Sequence, residues 1–187
     1  MSDGTTKLEV RLNARLPSVQ RGDRYEDPLA YWLEDRFPGS RVTGGGTLRS
    51  REGEPLVCGI DADVEGDPEE IEDAVAAYLE ALGAPRGSSV ALEGRAPREL
   101  GTTEGVALYV DSTTLPAEVY AAHDVNEFLD ALNDAVDGFG VLQAFWEAPD
   151  WTAVYVYGPS AQAITDAVAE LLATHPLAQG SRLERIA

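Results

Sequence analysis

The stretch IEDAVA at Ile71–Ala76 returns 93 residues later as ITDAVA at Ile164–Ala169. The same offset carries Gly87-Ser88 onto Gly180-Ser181, and Asp67, a helix-capping type, onto Ser160, another. A cap, a helix and a stop repeated at one spacing point to a duplicated unit. Duplication is the tightest constraint on this chain, because any fold assigned to one half must also serve the other.

The first half supplies the pattern. KLEVRLNARL alternates as a strand. EDPLAYWLEDRF reads as a short helix, with Asp27 as its cap and Pro28 in its first turn. GSRVTGGGTLRSREGEPLVCGIDADV reads as a hairpin turning near REGE. DPEEIEDAVAAYLEAL is a helix with an apolar stripe at Ile71, Val75, Tyr78, Leu79 and Leu82. GAPRG stops it, and SSVALEG is a final strand. The second half follows suit: strand EGVALYVDSTTL, helix DVNEFLDALNDAVDG, hairpin VLQAFWEAPDWTAVYVYG turning at EAPD, helix SAQAITDAVAELLATH and strand SRLERI. The expected fold is α+β, two ferredoxin-like βαββαβ repeats with mainly antiparallel sheets. Residues 1–95 form the first repeat, 96–104 a polar linker and 105–187 the second.

DADVEGDPEEIE, Asp61–Glu72, has the acids and the glycine of an EF-hand loop. The duplicate tests that reading. VYVYGPSAQA occupies the same place without the acids, as a strand, a turn and a capped helix. Asp67 with Glu70 makes a capping box, and Pro68 takes the first helical position. An EF-hand needs a helix before its loop, whereas PLVCGI reads as strand. No metal is expected there.

The formal net charge is -19. Residues 1–100 hold 20 acids and 12 bases; residues 101–187 hold 13 acids and two bases, Arg182 and Arg185. No basic side chain lies between Gly101 and Ser181. Such a surface repels nucleic acid and anionic membranes and attracts basic partners or cations. A GC-rich genome or a salty cytoplasm produces the same bias without a partner. No apolar run reaches the roughly 18 residues that span a membrane. MSDGTTKLEV lacks the order of a signal peptide. The single cysteine, Cys58, lies in an apolar run and reads as a buried thiol in a reducing cytoplasm.

Candidate sites are few. VTGGGT lacks the lysine and following helix of a phosphate loop, so Gly44–Gly46 read as a bulge or a close backbone approach. His123 and His175 stand at helix ends, far apart in sequence and without a cysteine ligand set, so they do not form a zinc motif. His123 with Asp124 or Glu127 could bind a metal or move protons, against the blander reading of an exposed histidine near a helix start. No nucleophile motif occurs. On DVNEFLDALNDAVDG, Val125, Phe128, Leu129, Leu132 and Val136 form the buried stripe. Glu127, Asp130, Asp134 and Asp137 recur along another face with no basic neighbour at helical spacing. In the following hairpin Thr152, Val154 and Val156 suit the core, placing Trp151, Ala153, Tyr155 and Tyr157 on the opposite sheet face. That face either meets a partner, with Trp146, Trp151, Tyr155 and Tyr157 as anchors, or packs against the first repeat.

EDPL, VTGGGT, GAPRGS, LPAEVY and YGPS together resemble an uncharacterised family of bacterial proteins, over about Leu8–Ile186. The resemblance implies two ferredoxin-like repeats and carries no catalytic residue. More loosely, in size and charge, the chain is similar to the acidic immunity proteins of polymorphic-toxin systems, which cover a toxin's active surface. The expectation is a non-catalytic cytoplasmic binding protein for a basic partner, with no cofactor. The alternatives are an enzyme or small-ligand binder using the cleft between repeats, and a structural or oligomerisation module.

Overall fold

A computed structural model describes residues 5–187, which divide into two compact units, one ending at Thr102 and the other running Thr103–Ala187. Residues 1–4, part of the stretch argued not to be a signal peptide, lie outside the described residues.

The first unit holds β1 (Thr5–Leu12), α1 (Ser18–Arg21), a π-helical turn (Gly22–Glu26), α2 (Asp27–Arg36), β2 (Arg41–Arg49), β3 (Pro55–Glu65), α3 (Pro68–Ala81), β4 (Ser88–Leu92) and β5 (Arg98–Leu100). Its sheet order is β2-β3-β1-β4-β5, each neighbour antiparallel. The second unit holds β6 (Glu104–Asp111), α4 (Ala117–Ala122), α5 (Val125–Val136), β7 (Val141–Glu147), β8 (Trp151–Gly158), α6 (Ala161–Thr174), a 3₁₀ turn (Pro176–Ala178) and β9 (Arg182–Arg185). Its sheet order is β7-β8-β6-β9, again antiparallel throughout. Both are ferredoxin-like βαββαβ units.

The helix starts explain the repeated stretch. The Asp67 carboxylate accepts the Glu69 and Glu70 N–H groups, each at 3.0 Å, and the Ser160 hydroxyl accepts the Ala163 N–H at 3.2 Å. Each cap satisfies donors that the first turn cannot. The stretch Asp61–Glu72 is therefore a strand end, a turn at Gly66 and a capped helix start. Asp63 pairs with Lys7 and Arg41, and Glu72 lies one turn inside α3, 3.4 Å from the Arg95 guanidinium. The first edge strand of each unit carries a bulge at the matching place, Thr43 between Val42 and Gly44, and Gln143 between Leu142 and Ala144.

Gly45 combines the bulged strand with a close approach. A Cβ there would stand 2.9 Å from both the Gly59 carbonyl oxygen and Glu26 Oε2. Cys58 is fully buried, and its thiol lies 3.3 Å from the Ala14 carbonyl oxygen. Burial pushes its pKa up.

Some local readings need correction. Asp27 caps nothing: its own backbone is helical, because the chain is already helical from Ser18. The π turn accounts for the continuity. The Asp27 N–H bonds the Gly22 carbonyl, five residues back, so the ladder skips a register just before Pro28, which has no N–H to give. Arg98–Leu100, inside the expected linker, is a strand paired with Ser88–Val90. Leu100 is buried, and Gly101 pins the end: its N–H donates to Glu80 at 3.0 Å. At φ 121°, with Pro85 O only 2.1 Å from where a Cβ would sit, Gly101 admits no other residue without rearrangement. Tyr78, Leu82 and Leu129 are only partly buried, and Val125 is 54% exposed, so the real stripes are narrower than the apolar spacing suggests.

Candidate functional site

In the second unit α5 and α6 lie on one face of the sheet. Their core joins Phe128, Leu132 and Val136 of α5 and Ile164 and Val168 of α6 to Val106, Leu108, Val110, Val154 and Val156 of the sheet. The β-branched set of β8 thus faces the helices, as its alternation requires.

That packing fixes the acidic face. Phe128, Leu132 and Val136 point at the sheet, so Asp130 and Asp134 fall on the far side of the helix, with Glu127 on its flank and Asp137 just past its end as the non-helical C-cap, and all four are exposed. Among the described residues none of the four has an ion-pair partner. Asp124 caps the helix, accepting the Asn126 N–H at 2.8 Å.

The aromatic row divides. Tyr155 and Tyr157 are 0% and 1% exposed, so neither ring is open at the surface of this structure. Ala107, Tyr109 and Ala153 on the same face are buried too. The signal was present in sequence: VALYV and AVYVYG are unbroken apolar runs, the pattern of a strand buried on two sides, whereas KLEVRL alternates. Trp146 and Trp151 remain partly exposed, in edge contact at 5.0 Å. Trp151 also meets Tyr109 at 4.8 Å, and the Arg182 guanidinium stacks 3.5 Å over the Tyr109 ring. One of the two bases of this half is thereby engaged against its own sheet.

Sequence spacing missed three exposed apolar residues, Phe139, Val141 and Phe145, on and beside the edge strand β7. Ala148 N–H bonds the Trp151 carbonyl across the turn. Antiparallel pairs alternate between bonded and non-bonded, so Phe145 and Glu147 turn their backbone polar groups toward the open edge. Nothing in the alternation of VLQAFWE distinguishes an edge strand from a central one.

The fold also brings together what the sequence kept apart. His123 and His175 come to 5.6 Å between ring centroids, with Phe128 4.8 Å from His175. His175 Nδ1 accepts the Leu177 N–H at 3.2 Å, which makes the ring the cap of the 3₁₀ turn and puts its proton on Nε2. Burial first, then the neighbouring His123, holds the His175 pKa down. Among the described residues no group of three His, Cys, Asp or Glu side chains is placed to hold a metal.

Beside His123 a cavity of about 720 Å³ opens between the sheet and the start of α5. Val110, Thr152 and Val154 lie at its sheet side, Ala121 and Ala122 of α4 and Val125, Glu127 and Phe128 of α5 along its walls. At its end Asp111 gathers four donors: the Thr113 and Thr114 N–H groups at 2.9 and 2.6 Å, the Thr114 hydroxyl at 2.6 Å and the Tyr120 hydroxyl at 2.7 Å. These bonds hold its carboxyl well below the usual carboxylate range.

The chain matches no family model and no curated protein. It is similar to a solved protein assigned as a glycine cleavage system transcriptional repressor, at 11% identity over 97% of each chain and a TM-score of 0.33. It is similar to a protein assigned as a monooxygenase from Fusobacterium nucleatum subsp. nucleatum, at 7% identity over 99% of this chain and 92% of that one, TM-score 0.33. An anthrone oxidase-like protein matches at 13% identity over 100% and 95%, TM-score 0.31. No activity passes to this chain from likenesses at that level. Among the described residues no helix is long and apolar enough to cross a membrane.

Proposed function

We propose that this chain is a non-catalytic binding protein whose second unit docks a basic protein. A toxin and its immunity protein is the kind of pairing it fits. The observation that carries the reading is the α5 face: four carboxylates at helical spacing, all exposed, with no cation beside them among the described residues. Like charges at that spacing cost the helix about 0.2–0.5 kcal/mol per pair, a cost that a basic surface would reverse. The same field works against nucleic acid and anionic membranes. Affinity would come from apolar contact nearby. Phe145, paired with Val154 on the helix-bearing face of β7, the strand against which α5 packs, and Phe139 beside that strand take the role first expected of Tyr155 and Tyr157, while Val141 and Trp146 pair with Tyr157 and Ala153 on the other face.

The test is kinetic. With a partner captured from the native lysate, Asp130→Lys with Asp134→Lys should slow association about tenfold at low salt and flatten its salt dependence. Phe145→Ala should chiefly speed dissociation. Unchanged rates in both variants, with the fold intact, would remove this surface as the docking site.

A further inference from the structure

We infer that the cavity in the second unit binds a compact organic cation with an apolar body, an arylalkyl or branched alkyl ammonium. The inference shares Glu127 with the docking face but not Asp130 or Asp134, whose charge reversal tests that reading, and it rests on an inventory of the cavity's polar groups. Asp111 is saturated by its four donors. The Tyr120 hydroxyl gives its proton to Asp111 and accepts the Leu115 N–H at 3.1 Å. Asp124 Oδ1 is engaged as the α5 cap, accepting both the backbone N–H and the Nδ2–H of Asn126. Ser112 and Thr152 hydroxyls lie 3.3 Å from each other. The uncommitted capacity on the wall lies chiefly on the Glu127 carboxylate, with no partner among the described residues, and the His123 ring, with Asp124 Oδ2 and one hydroxyl proton of the Ser112–Thr152 pair beside them. The rest of the lining includes Val110, Phe128, Leu129, Val154 and Leu177.

That inventory selects by charge. Three carboxylates line or rim the cavity, and no basic side chain occurs in the chain from Gly101 to Ser181. An anion would meet repulsion and no cationic donor. A neutral polar molecule would find acceptors there but gain none of the charge attraction. A cation with an apolar body satisfies both parts: its ammonium donates to Glu127, and its body covers the accessible apolar lining at Ala121, Val125 and Leu129. The volume of about 720 Å³ is within the range of small-molecule sites.

Three probes sharing one apolar body test this: 2-phenylethylammonium, 2-phenylethanol and 3-phenylpropanoate. Each is titrated into the full ¹⁵N-labelled chain at low salt, and amide shifts are followed. The ammonium should bind tightest, with shifts at residues 110–112, 120–129, 152–154 and 177, and the carboxylate should not bind. Glu127→Gln, at an exposed position, should weaken the ammonium about threefold to fivefold, the scale of one exposed ion pair, and leave the alcohol unchanged. Ala121→Trp, filling the cavity from its wall, should abolish binding of all probes. Equal binding of alcohol and ammonium would overturn the selection by charge. Shifts spread over Asp130, Asp134 and Asp137 instead of the cavity would show surface ion pairing and overturn the site. No binding of any probe at millimolar concentration would overturn it as well.

Discussion

Replacing Tyr155 by alanine separates a partner anchor from a structural ring. The side chain is 0% exposed, at the centre of β8 with Ala107 and Ala144 as cross-strand neighbours. A buried aromatic side chain hides roughly 150–250 Å². At about 25 cal/mol per Å², that is about 4–6 kcal/mol, an upper estimate because the unfolded chain already shields part of it. Measured truncations of buried aromatic residues fall at about 3–5 kcal/mol. For a unit of this size, Thr103–Ala187, each kcal/mol moves the midpoint by about 4–8 °C, so Tyr155→Ala should lower Tm by at least about 12 °C. The assay is thermal and urea unfolding followed by tryptophan fluorescence in a Trp32→Phe background. Trp32 stacks on Tyr78 in the first unit, so without it Trp146 and Trp151 report the second unit alone. Phe145→Ala, 48% exposed, is the control and should cost less than about 1 kcal/mol. If Tyr155→Ala costs no more than the control, the ring is not packed as its burial requires, and the structural reading of Tyr155 is refuted.

The duplicated caps should be energetically equivalent, with Asp67→Ala and Ser160→Ala each destabilising their own unit by about 1 kcal/mol in urea titrations. His175 has a folded pKa below its unfolded value, so its contribution is present above the unfolded pKa of about 6.5 and fades as pH falls through the folded one. Urea midpoints should therefore decline on acidification through that window, and His175→Phe should remove that part of the decline. Cys58, buried and with its pKa raised, should resist iodoacetamide in the native chain at pH 8 and react once urea unfolds the first unit; fast native labelling would contradict its burial.

What the sequence determined by itself was local. Period two in KLEVRL, helical spacing in IEDAVA, and Asp67 or Ser160 ahead of each helix fix elements and their ends, because pleat, helical pitch and capping act within a few residues. The offset of 93 added the larger statement that both halves share one topology, and the acidic face of α5 followed once its apolar stripe was placed. Tertiary structure decided the rest. The three residues of β5 become a strand because β4 offers them a ladder and Gly101 allows the turn against Pro85. The π turn before Pro28 leaves no periodic trace, since it shifts hydrogen bonds and not residue types. His123 and His175 meet because α5 and α6 pack side by side on one sheet, a contact between residues 52 positions apart that no local rule encodes. Whether β7 is an edge and whether Tyr155 sees water depend likewise on which strand lies beside β8 and on what the folded chain buries. Pairing and coverage are properties of the assembled sheet, so only the folded chain could supply them.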